Sequence, residues 1–341
     1  MLKGLTHVGR SAGTYFKVLV GALSVQVGLA STAYADYSSH SMAKPFVDEM
    51  VAEHGFKADE LNAWLQQAER KQSILDAIAR PAEKTKPWKD YRKIFVTPDR
   101  TRKGVEFWQQ HRETLARAEK QYGVPAEMIV SIIGVETRYG RHKGSYRVMD
   151  ALSTLAFDYP KRSKFFRKEL KHFLVLSREQ SQDPLSLKGS YAGAMGYGQF
   201  MPSSYREYAV DFDGDGFTDI WNNPVDAIGS VANYFKRHGW QPGADVVSRA
   251  RVNNGYEREL ANVSLKPKHT VGELKAAGYK PLDDFADEQD ATLMRLQGEN
   301  GTEFWMGLRN FYVITRYNHS RLYAMSVYQL SQAIAKEMKA S

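Results

Sequence analysis

The chain has 341 residues, of which 43% are hydrophobic and 25% are charged, and its formal net charge is +8 at pH 7. This length is too great for one small module and is sufficient for two or three subdomains that share a substantial core. The chain contains no cysteine, which excludes a disulfide framework and a lipid-modified N-terminal thiol.

The first 35 residues have the pattern of a cleavable secretory signal. They contain three basic residues and no acid, an apolar stretch at 18–30, and the small-x-small triplet Ala-Tyr-Ala at 33–35. The apolar stretch is shorter than the roughly 20 residues that a bilayer span needs, so we favour cleavage over the alternative of an uncleaved membrane anchor. We therefore expect a periplasmic chain that begins at Asp36, with its charge reduced from +8 to +5 by loss of the three basic residues.

The remaining positive charge is a weak bias toward anionic polymers such as cell wall or nucleic acid. The most basic run, at 161–171, is interrupted by Phe165, Phe166 and Glu169 at helical spacing. This spacing favours the solvated face of a helix over a nucleic-acid-binding stripe. We expect no nucleic-acid partner.

Helical periodicity dominates the first part of the expected mature chain. Apolar residues recur at helical intervals between residues 44 and 80, and Pro81 ends the pattern. The segment 83–102 contains Pro87 and Pro98 among mixed charges. We therefore predict an ordered connection without a helix there, with helix resuming near Lys103.

The rest of the chain predicts a helical region interrupted by one β-containing lobe. Helical patterns run from 124 to 238, broken by a glycine-rich stretch at 189–198 and an Asp/Gly-rich loop at 211–216. Short β-prone pieces at 246–247, 263–265 and 293–296 then alternate with turns, and 304–335 returns to helix. The predicted fold class is α+β and predominantly α. The expected division is a signal peptide at 1–35, an α-domain with its connection at 36–115, a core at 116–239, a small β-containing insert at 240–303, and a C-terminal part of the core with the final helix at 304–341.

One predicted helix, at 125–139, is bounded by recognisable signals. Pro125 fits the first helical turn, Glu127 stands where the positive end of the helix dipole favours an acid, and Gly140 is placed to end the helix. This helix carries a carboxylate in its last turn.

That carboxylate belongs to Glu136, which continues the apolar stripe formed by Met128 and Ile132. Burial and the negative end of the helix dipole are both expected to raise its pKa, as a general acid for glycosidic bond cleavage requires. Periodicity alone leaves open an ion pair with Arg138 or Arg141, or a side chain that points to solvent.

Residues 211–222 match much of a twelve-residue calcium-binding loop. Oxygen-bearing side chains stand at loop positions 1, 3, 5 and 9, Gly216 stands at the sharp turn, and the next residue offers its carbonyl. An asparagine at position 12, in place of a bidentate glutamate, lowers the expected affinity. The alternative is a polar turn without metal. We predict a weak, structural calcium site formed by Asp211, Asp213, Asp215, Phe217, Asp219 and Asn222, with Asp226 as a water-mediated supporter.

Three strings in the chain resemble the lytic murein transglycosylase B family: SIIGVETRYGR at 131–141, KGSYAGAMGYGQFMPS at 188–203 and RYNHS at 316–320. They are long and occur in the family's order, and the resemblance covers nearly all of the expected mature chain. It implies a lysozyme-like catalytic core flanked by an α-helical domain and a small inserted β-domain, with an EF-hand-like loop at 211–222.

The resemblance implies a reaction as well as a fold. The enzyme would cleave the β-1,4 bond between N-acetylmuramic acid and N-acetylglucosamine and leave a 1,6-anhydromuramic end. Glu136 would protonate the leaving oxygen and then deprotonate the muramic C6 hydroxyl, while the substrate's N-acetyl group stabilises the developing cation. One carboxylate suffices because this internal hydroxyl replaces water, whereas hydrolases usually use two carboxylates. No cofactor is expected for catalysis.

The resemblance also assigns substrate-binding residues. Sugar sites need hydrogen-bonding groups and flat aromatic faces. Ser190 and Gln199 would lie near the scissile sugars, and Arg162 would meet stem-peptide carboxylates, with a solvated arginine as the alternative. Ordinary core packing is the alternative for each tyrosine. The residues expected to line the cleft are Tyr234, Tyr317, Asn318 and Tyr323, with Tyr91 reaching it.

Two other functions compete with a lytic transglycosylase: a hydrolytic muramidase that admits water, and a noncatalytic peptidoglycan- or calcium-binding module. The expected partner is the peptidoglycan glycan strand, and cell-wall synthesis enzymes are further candidate partners. We expect a monomer without a stable membrane anchor.

Overall fold

The structure is a computed structural model that describes residues 36–79 and 86–340. The predicted signal peptide at 1–35 lies outside the described residues. Within them the helices are α1 (Ala43–His54), α2 (Ala58–Gln67), α3 (Gln72–Ala79), α4 (Trp88–Phe95), α5 (Pro98–Gln110), α6 (Arg112–Tyr122), α7 (Ala126–Thr137), α8 (Val148–Asp158), α9 (Ser163–Glu179), α10 (Pro202–Tyr208), α11 (Pro224–Arg237), α12 (Val271–Ala276), α13 (Arg309–Tyr317) and α14 (Arg321–Ala340). The strands are β1 (Tyr146–Arg147), β2 (Lys188–Gly189), β3 (Val247–Val252), β4 (His269–Thr270), β5 (Tyr279–Pro281), β6 (Asp290–Gly298) and β7 (Gly301–Gly307).

Helices α4 and α5 occupy a segment that was predicted to contain no helix, so the prediction of a connection over 83–102 is wrong. Both prolines that suggested a break stand at helix starts. Pro87 is the N-cap of α4, and Pro98 is the first residue of α5, after the N-cap Thr97, whose hydroxyl accepts a hydrogen bond from the backbone N–H of Arg100. Proline is tolerated there because N–H groups of the first turn have no intrahelical acceptor.

Helix α7 lies at the centre of the helical core. It packs against α5, α6, α11 and α14, and ten of its twelve residues are buried. A helix that is apolar on nearly every side occupies the interior of a domain, so the predicted apolar stripe extends around most of the helix. Beside this group, α8 packs against α3 and α9, and α10 packs against α9 and α11.

The larger sheet is antiparallel, with strand order β4-β6-β7-β3-β5. Because side chains alternate along a strand, its two faces bury different surfaces. One face packs under α12 as a separate apolar cluster that includes Tyr279, Phe304 and Met306. On the other face Met294 and Leu296 join the main helical core.

Two of the predicted domain boundaries fall inside secondary-structure elements. The boundary between 303 and 304 divides β7, which continues to Gly307, and the boundary between 115 and 116 falls inside α6. The β-prone piece at 263–265 forms no strand. The pattern of short β-prone pieces predicted where the β-containing lobe lies, whereas the pairing of its strands determines where the lobe ends. No helix in the described part of the chain combines the length and apolar character that a bilayer crossing requires.

Candidate active site

The helix that carries Glu136 ends earlier than predicted. Arg138 adopts the left-handed conformation with φ 50°, and its backbone N–H donates to the carbonyls of Ile133 and Gly134. The helix therefore ends at Thr137, two residues before the predicted end at Tyr139. The left-handed residue that ends it is Arg138, and not the predicted Gly140. Pro125 is the N-cap, one position before the first helical residue. Glu136 lies in the last turn of α7 and is partly buried.

Two tyrosines from the C-terminal helices surround the Glu136 carboxylate. The Tyr323 hydroxyl, on α14, donates a hydrogen bond of 2.5 Å to Glu136 Oε1. Burial raises the pKa of Tyr323 well above its ordinary value, and the negative charge of Glu136 raises it further. The same two causes, in the same order, raise the pKa of Tyr317. Both phenols are therefore neutral near pH 7 and act as hydrogen-bond donors beside the carboxylate.

The aromatic group around Tyr317 is held by backbone carbonyls. The Tyr317 hydroxyl donates to the Gly198 carbonyl at 2.6 Å, and the Tyr234 hydroxyl donates to the Arg316 carbonyl at 2.6 Å. The Tyr234 and Tyr317 rings lie 4.7 Å apart between centroids, and both contact Phe200. The structure thus brings Tyr234, Tyr317 and Tyr323 together beside Glu136, while their contact with the substrate stays a prediction.

The glycine-rich stretch folds back on itself beside these tyrosines. Isolated bridges pair Gly189 with Met195 and Met195 with Phe200. The Ser190 hydroxyl accepts backbone N–H groups within its own loop, with the closer donor at 3.0 Å. Gln199 has φ 51°, and its side-chain amide donates to the Lys143 carbonyl at 3.2 Å. Both predicted polar residues are partly buried and fixed by the loop, while their contact with sugar stays a prediction.

Thr137 links this loop to the catalytic helix, and sequence reasoning missed it. Its hydroxyl donates to the Tyr197 carbonyl at 2.9 Å, and the Tyr197 N–H donates to the Ile220 carbonyl at 2.9 Å. The position directly after Glu136 therefore connects α7 to the loop carrying Gln199 and to the end of the acidic loop. The sequence signal that could have pointed to Thr137 is its position directly after Glu136, inside the first string that resembles the family.

The other predicted cleft residues have less defined roles. Asn318 ends α13 and is partly buried. Tyr91 is buried on α4, with its ring 5.3 Å from that of Phe95. Arg162 is exposed, and its guanidinium lies 4.2 Å from the ring centroid of Phe165. Substrate contact stays a prediction for all three.

The acidic loop is closed by hydrogen bonds from its own backbone. Asp211 accepts N–H groups of Gly214 and Gly216, and these bonds lower the pKa of its carboxyl. Asp215 accepts from Phe217 N–H at 2.8 Å. Gly216 has φ 93° at the predicted sharp turn.

Asp226 is more central to this loop than the sequence suggested. It is fully buried, and its two oxygens accept the N–H groups of Phe212 and Asp219, each at 2.7 Å. Oxygens of Asp211, Asp213 and Asp226 all lie within 4.8 Å of one another. Burial raises the pKa of Asp226, and the charge of Asp213 raises it further.

Asn222, the predicted twelfth-position ligand, is exposed, and its backbone N–H donates to Asp219 Oδ1 at 2.9 Å. The neighbouring Asn223 instead contacts the carboxylates, because its Nδ2 donates to Asp213 Oδ2 at 2.7 Å. The carboxylates of Asp211, Asp213 and Asp226 therefore converge, while metal binding by the predicted set stays a prediction.

Comparison with known proteins identifies the family. Residues 38–332 match the family described as "Transglycosylase SLT domain". The chain belongs to this SLT transglycosylase family. It is 51% identical over 309 residues to membrane-bound lytic murein transglycosylase B of Escherichia coli (strain K12), a match that covers 88% of this chain and 84% of the relative.

Solved structures of SLT transglycosylases have the same fold. Lytic transglycosylase SltB1 from Pseudomonas aeruginosa is 58% identical with a TM-score of 0.86, covering 89% of this chain and 100% of that one. Escherichia coli Slt35 in complex with calcium is 48% identical with a TM-score of 0.81, covering 89% and 96%. Pseudomonas aeruginosa SltB3 in complex with NAG-anhNAM-pentapeptide is 31% identical with a TM-score of 0.77, covering 86% and 78%.

These matches confirm the predicted α+β, predominantly helical fold with a lysozyme-like core. They also confirm the predicted enzyme class. The protein is a lytic murein transglycosylase of the SLT family that acts on peptidoglycan.

Proposed function

We propose that Glu136 is the single acid and base of this lytic transglycosylase, and that the products carry 1,6-anhydromuramic ends. The observation that carries the proposal is the Tyr323–Glu136 hydrogen bond within the tyrosine-lined site. Glu136 is also the carboxylate whose negative charge raises the pKa of both Tyr317 and Tyr323. A site with one carboxylate suits a reaction that uses an internal nucleophile.

In the first step, the protonated Glu136 carboxyl donates its proton to the glycosidic oxygen as the bond to the muramic anomeric carbon breaks. The carbonyl oxygen of the substrate's N-acetyl group stabilises the positive charge that develops at that carbon. Glu136 is left as a carboxylate, and the Tyr323 hydroxyl donates a hydrogen bond to that anion.

In the second step, the muramic C6 hydroxyl attacks the anomeric carbon and transfers its proton to the Glu136 carboxylate. This restores the acid for the next cycle. A hydroxyl held within the same sugar has a large effective concentration at the anomeric carbon, so the reaction needs no second protein base to activate water. SltB3, bound to NAG-anhNAM-pentapeptide, supports the same product class for this chain.

The ends of the released muropeptides test this proposal. Digestion of purified peptidoglycan by the chain is expected to give fragments lighter, by the mass of one water, than those left by hydrolysis, and resistant to borohydride reduction. Mass spectrometry of the digest, with a muramidase digest as the reference, measures both properties. Mainly reducing ends would sink the proposal in favour of the hydrolytic muramidase.

We propose that the mature chain acts in the periplasm, because residues 1–35 have the pattern of a cleavable secretory signal.

We also propose that the acidic loop binds calcium as a structural ion. Three carboxylates that converge within 4.8 Å fit a hard divalent cation, which prefers oxygen ligands. A cation there offsets the mutual repulsion of Asp213 and Asp226. Asp211, Asp213 and Asp226 would hold it directly. The structure of Slt35 in complex with calcium supports calcium as the ion.

Calcium is expected to stabilise the folded chain without entering the acid–base chemistry. A ligand that binds only the native state at ten times its Kd adds about 1.4 kcal/mol, so millimolar calcium is expected to raise Tm by a few degrees relative to excess chelator. Calorimetry of the full chain measures this shift. Asp213→Asn is the matched variant, since Asp213 is exposed, and it is expected to lose most of the shift. An unchanged Tm with calcium would favour a plain polar turn.

A further inference from the structure

A second groove lies where α4, α14 and the larger sheet meet. A cavity of about 320 Å³ is lined by residues of all three, including Trp88 and Trp305. It shares Arg249 and Glu303 with a depression of about 530 Å³ along β3 and β7 and beside Leu282, which follows β5. We name the two together the basic groove.

The basic groove carries excess positive charge. Its basic side chains outnumber its acidic ones, and within the described residues only Lys93 with Glu299, at 3.1 Å, and the looser Arg249–Glu303 pair, at 3.9 Å, form ion pairs there. Lys89 and Arg251 have no acidic partner in the described part of the chain. The charged residues lining the groove are Lys89, Arg92, Lys93, Arg249 and Arg251 against Glu299 and Glu303.

Apolar surface lies beside these charges. Val252 is 38% exposed and Leu282 is 52% exposed, and both line the part of the groove next to Arg251. The indole of Trp305 is only partly buried and is oriented by its Nε1, which donates to Glu303 Oε2 at 3.0 Å. Exposed apolar groups next to unpaired cations are characteristic of a binding surface.

The groove is connected to the site around Glu136 through two helices. Helix α14 carries both Tyr323, which bonds to Glu136, and Gln329, which lines the groove. Six residues along a helix correspond to about 9 Å. Helix α4 carries the predicted cleft residue Tyr91 between Lys89 and Arg92. A polymer several sugars long can therefore reach both places.

We propose that the basic groove binds the acidic peptide stems carried by the glycan strand. The proposal extends the function proposed above, because the strand that presents the stems is the one cleaved at Glu136. In peptidoglycan the muramic carboxyl groups are joined to the stems in amide bonds, so the remaining carboxylates belong to the peptides. Cations complement those carboxylates, and the exposed aliphatic side chains complement the short apolar residues of the stems.

The test compares two soluble glycan strands that differ only in their peptides. One strand has its stems intact. In the other an amidase removes the stems, and the muramic carboxyl groups freed by this hydrolysis are capped as methylamides so that they add no negative charge. Binding is measured by calorimetry in the Glu136→Gln chain, which keeps the strand intact. Adding Lys89→Gln and Arg251→Gln is expected to weaken binding of the stem-bearing strand about three- to tenfold, since each exposed charge interaction accounts for a few-fold at most. Binding of the stripped strand is expected to stay unchanged.

Two control proteins accompany the test. Lys120→Gln with Lys236→Gln makes the same charge change at exposed positions that do not line the groove, and it is expected to bind both strands normally. Lys89→Arg with Arg251→Lys keeps the charges and is expected to keep the affinity. Equal losses for both strands would assign the groove to sugar, and unchanged affinity for the stem-bearing strand would remove it from substrate binding. Either outcome overturns the proposal. Product ends are scored separately, so failure of the anhydro chemistry is distinguishable.

Discussion

Glu136→Gln is expected to lower turnover of peptidoglycan by about 100-fold or more while the chain keeps its fold. Glutamine has nearly the shape of glutamate and can still accept the Tyr323 hydrogen bond, but it can neither donate a proton to the glycosidic oxygen nor take one from the C6 hydroxyl. Release of soluble muropeptides from purified sacculi measures turnover, and the melting temperature from calorimetry shows whether the variant is folded.

Glu127 provides a matched control on the same helix. It lies in the first turn of α7, where burial raises the pKa of its carboxyl, and Glu127→Gln makes the identical chemical change one helix length away. We expect Glu127→Gln to retain near-normal turnover. If Glu136→Gln also stayed within a few-fold of the unmodified chain, Glu136 would lose its assigned role.

Gly144→Ala is expected to destabilise the chain by about 2–5 kcal/mol, from the cost of a left-handed alanine together with steric overlap. Gly144 has φ 92°, and a Cβ built there lies 2.0 Å from the carbonyl carbon and oxygen of Gly189 and 2.4 Å from the N of Ser190. These are backbone atoms at and directly after the end of β2, so the overlap can be relieved only by a backbone shift, either around Gly144 or in the loop that carries Ser190. The free energy of unfolding in urea measures the loss.

Gly243→Ala separates the two contributions. Gly243 has φ 71°, but no atom lies within 4 Å of its built Cβ, so alanine there adds the conformational cost alone, about 1–2 kcal/mol. The excess loss in Gly144→Ala reports the contact with β2. Equal losses of stability in the two variants would show that the backbone at the end of β2 moves away from the added methyl group at no cost. Gly144 would then not be required for the position of β2.

The sequence predicted the helices well where apolar periodicity was strong and failed where proline dominated the pattern. As the periodicity indicated, the segment at 44–79 is largely helical, with three helices, and the segment at 126–137 forms one helix. Pro87 and Pro98 indicated a connection, because proline breaks a helix interior, yet both occupy helix starts. Proline favours a helix at its first residue and breaks it in its interior. Where a helix begins is not known from the residue types alone, so the sequence did not show which case applied.

The acidic loop shows a second limit. Its spacing predicted the ligands at 211, 213 and 215 and the turn at Gly216, all of which depend on local chain geometry. Asp226 enters from the first turn of α11, outside the twelve-residue pattern, because packing of that helix brings its buried carboxylate under the loop. Local spacing describes a loop, whereas its closure depends on the element packed against it.

The sequence by itself determined which carboxylate acts as the candidate catalyst: Glu136 stands inside a long string of family character, on a helix whose apolar residues require burial. Only the tertiary structure decided the environment of that carboxylate. Tyr323 is 187 residues away in the chain and donates to Glu136, because α14 packs against α7. A hydrogen bond requires a donor–acceptor distance within a few tenths of an ångström of its ordinary value. That distance is set by the packing of whole helices, which a local sequence pattern does not show.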